Sequence, residues 1–272
     1  MFVKLTSNMK RRFFVKTTIL SSAASALLPR IGFAQLKPRN KTLLYYELRT
    51  YTLKDANQQS LVEDYFEKAA IPALNKLGIK NVGVFTELKP SGQSILVALI
   101  PYQSLQEFET INNRLEQDKL YITEGAAYLN APATEPAYER INSSLLKAFK
   151  NMPGLELPPK NKRIFELRRY EHANEAAGTK KREMFNDAGE INIFKRLGFK
   201  PVFFGETIIG EARPNLIYMV TFDDMAAHDQ HWKSFGTDPE WMKISVIPEY
   251  ANSKLISNIT STFLQPTEYS QI

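Results

Sequence analysis

The sequence predicts an α+β chain in which one β-α-β-β-α-β unit is written twice, the two copies closing on each other as a tandem barrel. Three sets of echoes carry this reading. "YYELRTYTL" (Tyr45–Leu53) returns 119 residues later as "IFELRRYEH" (Ile164–His172), and both read aromatic-Glu-Leu-Arg-x-Tyr. "LGIKNV" (Leu77–Val82) returns as "LGFKPV" (Leu197–Val202), and "LVALIPYQSL" (Leu96–Leu105) as "LIYMVTFDDM" (Leu216–Met225), each 120 residues on. Asp118 and Tyr121 of "DKLY" fall on Asp238 and Trp241 of "DPEW", while "RINSSLLKAF" (Arg140–Phe149) matches "LISNITSTFL" (Leu255–Leu264) in character and order. A period of this length means one domain doubled rather than a solenoid of short repeats.

Each copy reads the same way. An alternating strand opens it. A helical segment follows, in which Leu61, Tyr65 and Phe66 share a stripe and Gly78 is the stop. Pro72 lies inside that segment and should kink or divide it. Two β-rich runs come next, Ile79–Lys89 and Ser94–Tyr102, joined by the turn residues "PSGQ". A polar helix around Ser104–Glu116 and a short second one precede the last strand, Tyr138–Phe149. The order is that of the ferredoxin-like unit. "KNMPGLELPPKNK" (Lys150–Lys162) has little periodicity and four Pro or Gly residues, as a linker does. The expected division is therefore an export segment at 1–34, a first α+β domain at 43–150, a linker at 151–162 and a second α+β domain at 163–272. A four-stranded sheet with helices on one face leaves its other face bare, so two such sheets should cover each other.

The first 34 residues read as an address. "KRRFFVK" (Lys10–Lys16) pairs two arginines with a Phe and a Lys at the twin-arginine spacing, and a short apolar run, Thr17–Leu28, follows. Gly32 and Ala34 suit a signal peptidase cutting after Ala34. Twelve apolar-run residues are too few to span a bilayer, which takes about 20. The segment predicts export through the twin-arginine translocase to the periplasm or beyond. It also holds six of the 35 Lys and Arg and none of the 29 Asp and Glu, so the remainder carries 29 against 29. The net charge of +6 belongs to the address, and no basic footprint for nucleic acid remains. No later run reaches membrane length; "SILVALIPY" is a buried strand. With no cysteine, the chain has no disulfide, thiolate metal site, thiol nucleophile or lipid-anchored cysteine.

The repeated strand places Glu47, Arg49 and Tyr51 on one face and Tyr46 and Leu48 on the other; Glu166, Arg168 and Tyr170 repeat the first set. The apolar set is expected on the helices, which turns the Glu-Arg-Tyr set into the barrel interior. There each Glu–Arg pair neutralises itself and fixes the sheets in register. Alternatively, Arg49 and Arg168 present guanidinium forks to an anionic ligand, with Tyr51 and Tyr170 as its walls. Mutual compensation favours the first reading.

These motifs resemble the NIPSNAP family. Aromatic-Glu-Leu-Arg-x-Tyr opens each half, Leu-Gly precedes the second strand, and "HWKSFGTDPEW" and "ITSTFLQPTEYS" complete the second half. The resemblance covers Leu44–Phe149 and Arg163–Tyr269; the first half departs from it with Asn112 and Leu115 where Trp232 and Phe235 stand. It implies a dimeric α+β barrel fold and assigns no activity.

Other chemistry finds little support. Asp238, Pro239 and Trp241 read as an ordinary helix start, and Asp223–Asp224 as caps. His228 and His231, three apart on a helix, could offer two metal ligands, but no third is evident and surface histidines are the plainer reading. His172 could ligate haem, as in some enzymes of similar fold. No Gly-x-Ser-x-Gly or phosphate-binding glycine loop occurs. The sequence therefore points to an exported protein that binds a small molecule or assembles in the cell envelope, without a cofactor and open to self-association. A barrel oxygenase, cofactor-independent or haem-dependent, acting on a small aromatic substrate is the rival.

Overall fold

The nine residues Tyr45–Leu53 form the first strand, β1, with apolar side chains on both faces, so it must be covered on both. The computed structural model that shows how describes residues 42–90 and 92–272. The expected export segment, 1–34, lies outside the described residues. Lys41–Ile272 is one compact unit.

The first half runs β1, α1 (Ala56–Asp64), a π-helical turn (Tyr65–Ala70), α2 (Ile71–Lys76), β2 (Gly83–Glu87), β3 (Ser94–Tyr102), α3 (Leu105–Leu115), α4 (Lys119–Glu124), α5 (Ala126–Leu129) and β4 (Arg140–Ala148). The second runs β5 (Ile164–Glu171), α6 (Glu175–Asn186), α7 (Glu190–Arg196), β6 (Lys200–Ile209), β7 (Asn215–Phe222), α8 (Met225–Gly236), α9 (Pro239–Ser245), a 3₁₀ turn (Pro248–Tyr250), α10 (Asn252–Leu255) and β8 (Asn258–Pro266). Short polar side chains start the helices: Asp55, Ser104, Asn174 and Asp224 each accept a hydrogen bond from first-turn N–H groups. Pro72 acts more gently than expected. Without an N–H it cannot complete the four-residue ladder, and the helix slips to five-residue bonding instead, Ile71 N–H donating to Phe66 C=O.

All strand pairs are antiparallel, and the order β1-β3-β2-β8-β5-β7-β6-β4 closes on itself. Each half contributes four neighbours, β4-β1-β3-β2 and β8-β5-β7-β6. Two seams, β2 with β8 and β6 with β4, join them, so no sheet edge is left unpaired.

The two faces of the repeated strand are the reverse of those expected. Tyr46 and Leu48 point into the barrel, in one cluster with Phe85, Val97 and Leu146 of the first half and Phe165, Phe203 and Met219 of the second. Tyr51 lies in the cluster beneath the first-half helices, and Tyr170 in the one beneath the second-half helices. Glu47, Arg49, Glu166 and Arg168 share their faces, outside the lumen. An eight-stranded barrel has an interior that side chains just fill. The helix side supplies the donors that a buried carboxylate needs.

The lumen is filled by exchange across the two halves. Val84 pairs with Ala98 as Phe204 pairs with Tyr218, which makes Phe85 the counterpart of Gly205 and Gly83 the counterpart of Phe203. Phe85 packs on Phe165 at 5.0 Å between ring centroids, and Tyr46 on Phe203 at 5.2 Å. At Gly205 there is no room for more: an added Cβ would sit 2.9 Å from the Leu146 Cβ. One end of the barrel is closed by Leu43, Leu44, Leu155 and Ile272, the last anchored where Gln271 N–H donates to Val82 C=O at 3.0 Å.

The Gly205→Ala variant should therefore lose about 1–3 kcal/mol of stability through overpacking. Gly236→Ala, at a helical position with nothing within 4 Å of the added carbon, should lose none. Urea unfolding of the two variants checks this; equal midpoints would contradict the packing described.

Candidate functional site

The end of the barrel opposite Ile272 is open. Strands β1, β3 and β4 of the first half and β5, β7 and β8 of the second meet there around a cavity of about 250 Å³. Its apolar lining is Leu48, Ile95, Val97, Leu167 and Ile217, and its polar lining includes Thr50, Asn142, Ser144, Arg169, Thr260 and Thr262. Glu211, on the turn after β6, completes it. The turn can lie this close because Gly210, at φ +151°, carries no Cβ; one would collide with the Ser144 hydroxyl.

The cavity sits on the pseudo-two-fold axis. Leu48 pairs with Ser144 as Leu167 pairs with Thr262, and Thr50 pairs with Asn142 as Arg169 pairs with Thr260. Thr50, Asn142, Ser144, Thr260 and Thr262 make no side-chain hydrogen bond among the described residues. The Arg169 guanidinium is held from the outer side, where Glu171 Oε1 accepts from its Nε at 3.0 Å and lies 2.9 Å from its Nη2. Asn258 Nδ2 donates to the same oxygen at 3.2 Å.

The charged residues singled out from the sequence form two other, related clusters between sheet and helices. In the first half Arg49 grips Glu47 with Nε at 2.7 Å and Nη2 at 2.9 Å, while the Ser143 hydroxyl at 2.8 Å and the Tyr102 hydroxyl at 3.1 Å also donate. Burial pushes the Glu47 carboxyl up, but the Arg49 charge and these hydrogen bonds outweigh it and hold the group below its ordinary 4.5. Tyr51 is nearby and accepts from the Tyr128 hydroxyl at 3.3 Å.

In the second half Arg168 donates to Glu166, joined by the Ser261 hydroxyl at 2.6 Å and Trp232 Nε1 at 3.0 Å. The guanidinium lies over the Trp232 ring at 4.5 Å, a cation–π contact that strengthens when desolvated. Tyr170 bonds Tyr218, hydroxyl to hydroxyl, at 2.8 Å. Beside it Lys181 and Glu190, 1% and 2% exposed, pair at 2.9 Å. Glu47 thus pairs with Arg49 and Glu166 with Arg168, leaving Arg168 Nε buried without a partner, and none of the four lines the cavity.

The histidines are aromatic partners rather than surface groups. His228 is held between Glu166, 3.3 Å from its Nε2, and Asp229, 2.8 Å from its Nδ1; His231 instead stacks on Phe222 at 5.7 Å. The described residues contain no group of three metal-ligating side chains. A haem does not fit His172. Its Nδ1 donates to the Leu255 carbonyl at 2.7 Å, and its ring is buried so close to α6 that a Cβ on Gly178 would touch it at 3.1 Å. Its other nitrogen is enclosed without a partner, and a porphyrin could reach it only by displacing α6. Asp238 caps α9 with Pro239 in its first turn, as the sequence indicates, and Asp224 caps α8; Asp223 instead reaches Arg163 at 3.3 Å.

Sequence reasoning missed the cavity residues. The signal was there in the even-numbered positions of β1 and β4 and their counterparts: beyond Leu48 and Leu167 the inward face turns polar, with Thr50, Arg169, Asn142 and Thr260.

Comparison with solved structures shows the same architecture elsewhere. A candidate monooxygenase from Fusobacterium nucleatum superposes with a TM-score of 0.56 at 10% identity, covering 83% of this chain and 93% of that one. One from Lactobacillus acidophilus gives 0.57 at 8%, covering 82% and 94%. A NIPSNAP family protein from Agrobacterium tumefaciens matches at 21% identity over 40% of this chain and 96% of its own, with a TM-score of 0.34. No curated protein matches. The NIPSNAP family model matches twice, over residues 46–153 and 165–271, and the chain belongs to the NIPSNAP family as a tandem of two such domains.

Proposed function

We propose that this protein is an exported binder of a small molecule, which it holds in the cavity at the open end of the barrel. The observation that carries the binding half is the axial cavity itself. It is walled by both repeats, part of its wall is apolar, and five side chains able to hydrogen-bond surround it without partners of their own among the described residues. That combination, an apolar surface with a few convergent polar groups, is what a ligand site requires. Its volume of about 250 Å³ suits a small metabolite. The two Glu–Arg clusters support the site from behind by fixing β1 and β5, the strands that present Leu48, Thr50, Leu167 and Arg169.

Oxygenase chemistry is the weaker reading. The candidate monooxygenases share the fold at 8–10% identity, which conveys architecture and no active-site residue. Oxygen uptake with electron-rich aromatic compounds would revive it.

Export rests on the sequence of residues 10–34 alone. Replacing the arginine pair, Arg11→Lys with Arg12→Lys, should leave the precursor uncleaved in the cytoplasm while the unaltered chain reaches the periplasmic fraction. Cell fractionation decides this, and periplasmic recovery of the double variant would contradict it. The binding half is checked by saturation-transfer NMR with a mixture of small metabolites. Leu167→Trp should fill the cavity and abolish signals that the unaltered protein gives, with circular dichroism confirming the fold. Equal signals from both, or none from the unaltered protein, would contradict the site.

A further inference from the structure

We propose that the axial cavity takes a small amphiphilic carboxylate, its apolar body against Leu48, Val97, Leu167 and Ile217 and its carboxylate against Arg169. This rests on the cavity being a ligand site and adds the chemical class of the ligand.

The walls mix apolar and polar side chains at both levels of the cavity. Leu48 and Leu167 stand on the inner level beside Ser144 and Thr262. One pleat further out on β1 and β5 stand Thr50 and Arg169, with Asn142 and Thr260 as cross-strand neighbours on one side and Val97 and Ile217 on the other. A ligand that satisfies these walls has an apolar body and a polar head.

The pseudo-symmetry then identifies the head. Across the axis Leu48 faces its counterpart Leu167, Val97 faces Ile217, Asn142 faces Thr260 and Ser144 faces Thr262. At these positions the two repeats carry similar side chains. Thr50 and Arg169 break the pattern. With two matching threonines the site would accept a ligand equally well in two orientations related by the axis. A single guanidinium removes that degeneracy.

Arg169 is also prepared for a ligand. Its Nε and Nη2 are fixed by one oxygen of Glu171, which sits further out along the same strand face. Its Nη1 has no partner among the described residues. A side chain already held in place loses little freedom when it binds, and a guanidinium edge matches a carboxylate. The nearby acids do not reverse the preference. Glu171 is already shared between Arg169 and Asn258, so an amine ligand would have to displace Arg169 from it. Glu211 is on the exposed turn.

Isothermal titration at pH 7 with matched probes tests the assignment: benzoate against benzyl alcohol, and 3-methylbutanoate against 3-methylbutanol. Each acid should bind the unaltered protein roughly tenfold more tightly than its alcohol, the increment expected when a charge-assisted hydrogen bond replaces a neutral one. Arg169→Gln should bring the acid down to the level of the alcohol, and Arg169→Lys should keep part of the preference. Alcohols binding the unaltered protein as tightly as acids would overturn the carboxylate assignment and leave the cavity as a site for neutral ligands. So would an acid preference that survives Arg169→Gln. If none of the four probes binds and the metabolite mixture gives no signal either, both the assignment and the ligand site fail. The comparison within the unaltered protein decides the matter even if a variant does not fold.

Discussion

Pairing of sheet edges is the constraint from which the rest of this molecule follows. One repeat alone is a four-stranded sheet, β4-β1-β3-β2, whose outer strands each expose a row of unsatisfied N–H and C=O groups. The other repeat supplies the missing partners at both places, β8 for β2 and β6 for β4. Closure creates a lumen that neither repeat has by itself. It also puts the pseudo-two-fold axis through that lumen, so a cavity at its mouth is necessarily built from both copies. Because the copies are covalently joined, their sequences can diverge independently. Phe85 and Gly83 against Gly205 and Phe203 fill the interior without doubling its bulk. Thr50 against Arg169 puts a guanidinium on one repeat's wall that the other lacks.

The helix side shows divergence of another kind. Glu47 and Glu166 occupy equivalent positions and each meets an arginine two residues on and a serine from the last strand of its own repeat. The remaining donors differ. Tyr102 serves Glu47, whereas the counterpart of Tyr102 is Phe222, and Trp232 from α8 serves Glu166. Glu166 is the more enclosed, at 1% exposure against 6%. Breaking a buried pair by removing one member is far more destabilising than replacing both, because it strands a charge. These clusters are therefore best understood as fixing the strands whose other face forms the cavity.

Much of this was legible in the sequence. The doubling, the order of elements, the caps at Asp224 and Asp238 and the closure of two sheets on each other all follow from spacing and residue type. The direction of the repeated strand did not. Tyr46, Leu48 and Tyr51 are all apolar enough for either side, so alternation fixes which residues share a face and leaves open which face is inside. The deciding information is tertiary: the lumen is narrow and already holds Phe85, Phe165 and Phe203, while the helices bring Trp232 and His228 within reach of Glu166. Similarly, Pro72 promises a disruption, and only the structure shows it taken up by a π-helical turn. The cavity was hidden because its residues are ordinary threonines, serines and leucines; their importance lies in the register that gathers them.

Differential scanning calorimetry tests closure of the barrel by both repeats most directly. If the β2–β8 and β4–β6 seams join the two halves as described, the chain melts in one transition whose calorimetric and van't Hoff enthalpies agree. Two resolved transitions, or a calorimetric enthalpy about twice the van't Hoff value, would mean that each repeat folds and melts for itself.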